Sequence, residues 1–205
     1  MVIPGPAGPL QALVEDPGGE RRAVAVVCHP HPLYHGTMMN KVVHTLARAA
    51  VGLGAVAVRF NFRGVGASGG AWDEGRGETD DALAVVEWCR QQWPGLPLWL
   101  MGFSFGSYVA LRAAPAAHGD LLVTVAPPVR RFPLGDGAPP ARWLVVQGEA
   151  DELTDFREVR EWVGGLSPTP ELVLLPGTSH FFHGRLGDLR DVVGRFLGKS
   201  RGGAS

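Results

Sequence analysis

The sequence predicts an α/β protein, with a mostly parallel central sheet and helices packed on both of its faces. Three observations predict it. Short apolar runs of strand length alternate along the chain with segments of helical period. These runs are near-continuously apolar and end in Gly, Pro or polar residues, as strands covered on both faces do in parallel sheets. The chain has 205 residues, enough for one α/β domain that buries roughly 70% of its unfolded surface.

Six runs carry the strands: "RAVAVVCHP" (22–30), "GAVAVRFNF" (54–62), "LPLWLMGF" (96–103), "GDLLVTVA" (119–126), "ARWLVVQG" (141–148) and "PELVLLPG" (170–177). Helices lie between them. In "NKVVHTLARAAVGLG" the residues Val42, Val43, Leu46 and Ala50 share a face, and Gly52 and Gly54 supply the exit. "ETDDALAVVEWCRQQWPG" repeats the pattern with Ala82, Val85, Val86 and Cys89, and acidic residues crowd its first turn, where the helix dipole favours them. A third helix continues from Gly106 through Tyr108 to Ala114. A fourth is marked by Phe156, Val159, Trp162 and Val163, and a fifth by Leu186, Leu189, Val193, Phe196 and Leu197. Residues 10–14, before "DPGG", are read as an antiparallel strand hairpinned to the 22–28 strand. With no internal repeat and no long linker, residues 1–205 are expected to form a single domain, with 199–205 as a frayed, disordered tail.

Composition narrows the function classes. Hydrophobic residues make up 45% of the chain and charged residues 19%, against about 25% charged in typical domains, which describes a compact globule. A formal charge of −1 supplies no long-range field for nucleic acid or an anionic membrane. "MVIPGPAGPL" has neither the basic start nor the apolar run of a secretory signal. No stretch approaches the apolar length of a membrane span. Cys28 and Cys89 each sit inside an apolar run and are read as reduced core residues rather than as a disulfide. The expectation is a cytoplasmic protein with no nucleic-acid or membrane partner. The oligomeric state leaves no mark in the sequence.

Two serines have glycines two places to either side, Ser104 in "GFSFG" and Ser68 in "GASGG". The pattern alone decides little in a chain with 29 glycines. A nucleophile elbow also needs a buried strand running into the motif, a tight turn, and a helix leaving directly after it. The helix aims its N-terminal N–H groups at the place where negative charge forms. Ser104 meets all three conditions: "LPLWLM" is the strand, "GFSFG" the turn and "SYVALRAA" the helix. Ser68 lies beyond a strand that ends near Phe62, and "GGAWDEGRG" is read as unable to start a helix. Ser104 is therefore the candidate nucleophile.

A serine needs a base, and the base needs an orienting carboxylate. "EADEL" follows one late strand and offers Glu149, Asp151 and Glu152. "TSHFFHG" follows the next and offers His180 and His183. Both sets fall at strand ends in the order Ser, acid, His.

Together, "FNFRGVGASGG", "GFSFGS", "GEADEL" and "GTSHFF" resemble the α/β-hydrolase superfamily, in particular its small lidless bacterial members near the dienelactone-hydrolase-like esterases. "CHPHPLYHGTMMNKVV" is similar to the histidine–proline segment those hydrolases carry after their third strand. The resemblance runs from about residue 20 to 197. It implies an α/β-hydrolase fold, Asp151 as the acid three residues beyond Gly148, and His180 as the base after Gly177. His183 stays in reserve, and Glu149 and Glu152 become solvated loop carboxylates. The nucleophile is Ser rather than the Cys of dienelactone hydrolase itself.

Acyl transfer also needs two N–H donors aimed at the developing oxyanion. Phe105, next to the nucleophile, is expected to supply one backbone donor. "HPHPLYHG" supplies the other; Pro30 and Pro32 have no N–H, which leaves His31, with Leu33 in reserve. The family pattern also points to His31. A zinc site at His29, His31 and His35 is disfavoured, because prolines interleave the histidines and no Cys or carboxylate completes a tetrahedron. His29 is expected to pack behind the oxyanion loop. Arg63, Gly64 and Gly66 are read as loop architecture, with recognition of a substrate carboxylate as the minority reading for Arg63.

Superfamily members usually carry a cap between the sixth and seventh strands, and "PPVRRFPLGDGAPP" (127–140) is too short to form one. Tyr34, Phe103, Phe105, Val129, Phe132 and Phe181 are the expected apolar walls of the open site, with His35 beside Tyr34 at its mouth. Arg130 and Arg131 are read as a solvated loop pair, with attraction of an acidic substrate as the minority reading. The expected activity is hydrolysis of small carboxylic esters through an acyl-enzyme, with no cofactor and no metal. A thioesterase, an amidase or an acyltransferase would use the same residues, and a non-catalytic scaffold is the alternative from another class.

Overall fold

The computed structural model describes residues 1–134, 139 and 142–199. The strands are β1 (Val2–Ile3), β2 (Leu10–Glu15), β3 (Ala23–Cys28), β4 (Ala55–Phe60), β5 (Leu98–Phe103), β6 (Leu121–Val125), β7 (Arg142–Gly148) and β8 (Glu171–Leu175). The helices are α1 (Lys41–Val51), α2 (Arg76–Gln92), α3 (Phe105–Ala117), α4 (Phe156–Gly164) and α5 (Leu186–Gly198). The eight strands form one sheet in the order β1-β2-β4-β3-β5-β6-β7-β8. It is antiparallel at β1–β2 and β2–β4 and parallel from β4 through β8.

The all-apolar strands are explained by what covers them. Along β3, Val24, Val26 and Cys28 enter one core, with Ala82, Val85 and Val86 of α2, Val109 and Ala113 of α3, and Val159 and Val163 of α4. Ala23, Ala25 and Val27 enter the other, with Val42, Val43 and Leu46 of α1 and Leu189, Val193 and Phe196 of α5. Successive residues of a strand point to opposite faces, so both sets must be apolar. Cys28 and Cys89 are free and buried in the first core.

The N-terminal strand departs from expectation. β2 pairs with β4, Ala12 opposite Phe60 and Val14 opposite Val58, and not with β3. Both edges of β3 are taken, since Val26 faces Val58 of β4 on one side and Leu100 of β5 on the other. The free edge is that of β4, and β1 then extends the sheet beyond β2.

The start of α2 is the second departure. "GGAWDEGRG" does start a helix at its end, because the Glu78 carboxylate accepts the N–H groups of Gly75 (2.7 Å) and Asp73 (3.0 Å) and closes the first turn. Ser68 lies upstream in the loop, where its hydroxyl donates to Asn61 O (2.7 Å) and accepts the N–H of Gln11 (2.9 Å). It ties the loop to β2. Residues 200–205 of the expected tail lie outside the described residues. No helix among the described residues is long and apolar enough to cross a membrane.

Candidate active site

β5 delivers Ser104 to the carboxyl edge of the sheet, and α3 begins at the next residue. Ser104 has φ 52° and ψ −121°, a backbone conformation that costs a side-chain-bearing residue energy. Its flanking glycines make the turn sterically feasible. A Cβ on Gly102 would lie 2.1 Å from Gly106 O, and one on Gly106 would lie 2.2 Å from Cys28 O. Strand, turn and helix pass too close for any side chain.

The loops after β7 and β8 bring their polar residues to the same edge. His180 Nε2 lies 3.1 Å from Ser104 Oγ, and His180 Nδ1 lies 2.8 Å from Asp151 Oδ2. Ionised Asp151 can only accept, so Nδ1 carries the proton and the Nε2 lone pair faces the serine hydroxyl. The His180 side chain is 3% exposed. Asp151 Oδ1 accepts the N–H groups of Leu153 and Thr154, both at 2.8 Å. Burial alone would raise the Asp151 carboxyl, but the His180 hydrogen bond and charge, with the Thr154 and Leu153 N–H groups, outweigh it and hold the group below its ordinary value.

Of the other acids, Glu149 is exposed, and Glu152 Oε2 accepts the His180 backbone N–H at 3.1 Å. His183 is exposed, with its ring 6.1 Å from that of Phe181.

Gln147 is a site residue that the sequence reading missed. Fully buried in β7, it donates from Nε2 to Asp151 Oδ2 at 2.9 Å and to the carbonyls of Gly148 and Thr154 at 3.2 Å. The one available signal was a polar residue in the run that follows Arg142 and is otherwise apolar up to Gly148.

The loop after β3 faces Ser104 from the other side. Neither the His31 nor the Phe105 backbone N–H donates to another group among the described residues. The Leu33 N–H is occupied by His31 Nδ1 at 3.2 Å, which removes it as a reserve donor. His29 is fully buried; its Nε2 accepts the Phe62 N–H at 3.0 Å, so Nδ1 holds the proton and donates to Pro30 O at 2.6 Å. Burial lowers its pKa to about 3, and with both nitrogens engaged it has no lone pair for a metal. Arg63 pairs with buried Asp81, Nη2 to Oδ1 at 2.8 Å, and is loop architecture.

A cleft of about 560 Å³ opens over Ser104 and His180, walled by His31, Tyr34, Phe105, Phe132, Leu153 and Phe181. His35 also borders it. The His31 ring packs against both Trp72 (4.5 Å) and Phe105 (5.0 Å). Two expected wall residues lie elsewhere. Phe103, the last residue of β5, points into the core opposite Phe105 and supports the His180 ring from 5.1 Å. Val129 is half-buried against the other core.

A doubly covered parallel sheet with a serine on a strained strand-to-helix turn defines the protein as a lidless α/β serine hydrolase. Residues 19–141 match the family described as serine aminopeptidase, S33, and the chain belongs to that family of hydrolases. It is 31% identical to an uncharacterized protein of Rickettsia prowazekii over 94% of this chain and 86% of that one. Among solved structures it is similar to an α/β serine hydrolase without lid from Xanthomonas campestris, at 48% identity and TM-score 0.94, covering 97% of this chain and 93% of the other. An α-β serine hydrolase homologue from Coxiella burnetii matches at 44% identity and TM-score 0.93, with 96% of each chain covered.

Proposed function

We propose that this hydrolase cleaves small carboxylic esters in two steps. Ser104 Oγ attacks the ester carbonyl while His180 Nε2 takes its proton. Asp151 holds the imidazole tautomer and stabilises its charged form. The N–H groups of Phe105 and His31 bind the oxyanion, each contributing roughly 3 kcal/mol to the transition state. The alcohol leaves with the proton from His180, and water then releases the acid by the same sequence. The observation that carries this reading is the relay of 3.1 Å and 2.8 Å through His180, at the floor of an aromatic cleft with two uncommitted N–H groups beside it. The partner is a small-molecule acyl ester, and the chemistry calls for no cofactor. The free thiols of Cys28 and Cys89 suit the reducing cytoplasm.

A fluorophosphonate probe tests the nucleophile. Wild type takes the label and Ser104→Ala does not; equal labelling would remove Ser104 from the role. A 4-nitrophenyl ester series tests the substrate class, with kcat/KM highest for short chains and falling as the chain lengthens.

A further inference from the structure

One wall residue of the cleft is formally charged at neutral pH. Arg131 borders the space over Ser104, and its other neighbours there are aromatic, aliphatic or neutral polar groups. The nearby arginines are occupied: Arg130 Nε lies 2.9 Å from Glu158, and Arg157 Nη2 lies 2.7 Å from Asp155. The Arg131 guanidinium has no ion pair or hydrogen bond among the described residues. Its place is set by its own turn, where the backbone N–H groups of Arg131 and Phe132 both donate to Pro128 O, at 3.0 and 3.3 Å. Burial disfavours a proton on His31, and the Arg131 charge adds to that, so its field reaches the loop that faces the serine.

We infer that the cleft takes an ester that itself bears a carboxylate, a monoester of a short dicarboxylic acid, with Arg131 as the counter-ion. This rests on the esterase reading and names its substrate class. The planar fork of one guanidinium matches one carboxylate in two parallel hydrogen bonds. On its far side Arg131 borders a second groove of about 470 Å³, where Arg130 and Arg157 are paired with Glu158 and Asp155 and the remaining acids, Glu149, Asp151 and Glu152, leave a wall that disfavours an anion. The carboxylate therefore approaches from the side that holds Ser104. Hydrolysis adds water across the ester bond and yields the alcohol and a dicarboxylate.

The test compares monoethyl glutarate with its neutral isostere, ethyl 4-carbamoylbutanoate. Wild type prefers the charged ester by about fivefold in kcat/KM, the size expected for a partly exposed pair. That ratio falls to near one in Arg131→Gln, recovers in part in Arg131→Lys, and shrinks as salt is added. No preference in wild type, or the same preference in Arg131→Gln, overturns the inference. Calorimetric binding of glutarate provides a readout independent of turnover. Weaker binding to Arg131→Gln supports the inference and equal binding overturns it. If Ser104 takes no label and neither ester is cleaved, the esterase reading fails, while the glutarate titration still decides the role of Arg131.

Discussion

Gln147 Nε2 stands 2.9 Å from Asp151 Oδ2, the same oxygen that accepts the His180 Nδ1 proton at 2.8 Å. Asp151 is thus gripped at both oxygens, and its orientation is transmitted to the imidazole. Among the described residues Gln147 Oε1 is buried without a partner, and the amide is held there from its nitrogen side. Gln147→Leu frees the carboxylate to rotate, and kcat is expected to fall about 10- to 100-fold with little change in KM. Steady-state kinetics on a short nitrophenyl ester check this. An unchanged kcat would show that the Leu153 and Thr154 N–H groups orient Asp151 by themselves.

Asp151→Asn keeps the shape but presents an amide to His180 Nδ1. The imidazole then adopts the tautomer with its proton facing Ser104, and kcat should drop by up to ~10⁴. Near-wild-type turnover would transfer the role to Glu149 or Glu152. Because the Asp151 value is lowered in the folded protein, its contribution to stability is present above about pH 3.9 and is lost as pH falls through the lowered value.

His29 must stay neutral, since protonating Nε2 would set it against the Phe62 N–H. Its value of about 3 lies below the ordinary ~6.5, so the unfolded chain binds the extra proton between those limits. Stability is full above about pH 6.5 and declines toward pH 3, by about 1.4 kcal/mol per pH unit at most. Urea midpoints between pH 7.5 and 4 should show this slope in wild type and a flatter one in His29→Gln. Parallel slopes would mean that His29 is protonated in the folded state.

Gly106→Ala drives a methyl group into the Cys28 and His29 carbonyls. A loss of about 1–3 kcal/mol or more is expected, as for overpacking elsewhere, together with loss of labelling at Ser104. Gly194→Ala is the control. It lies within α5 with nothing within 4 Å of its Cβ, and it should be neutral or stabilise by up to about 1 kcal/mol. Equal urea midpoints for the two variants would refute the close-approach account of the elbow.

The fold was legible where burial is two-sided. The six apolar runs became β3 through β8, because a parallel strand covered by helices on both faces must be apolar throughout. Lateral order was not legible from periodicity, which is why β2 was assigned to β3 when it sits on β4. At the site, Ser104, Asp151 and His180 stood out because each follows a strand end, and the structure brings the three side chains into hydrogen-bond reach. Phe103 was misassigned to the wall, since adjacency to Ser104 in sequence says nothing of the alternation that turns it to the opposite core. Gln147 was missed because its partner is made in three dimensions. Sequence does not separate Arg131 from Arg130; in the structure Arg130 meets Glu158, and Arg131 borders the cleft over Ser104.

The uncovered rim, where Tyr34 is 75% exposed, has a kinetic corollary. On the proposed mechanism, an acyl group on Ser104 would stay wet. Water would meet it at full solvent concentration, whereas any alcohol or amine competing for it would arrive as a dilute solute. Partitioning would then run toward free acid, and such a catalyst would degrade far better than it synthesises.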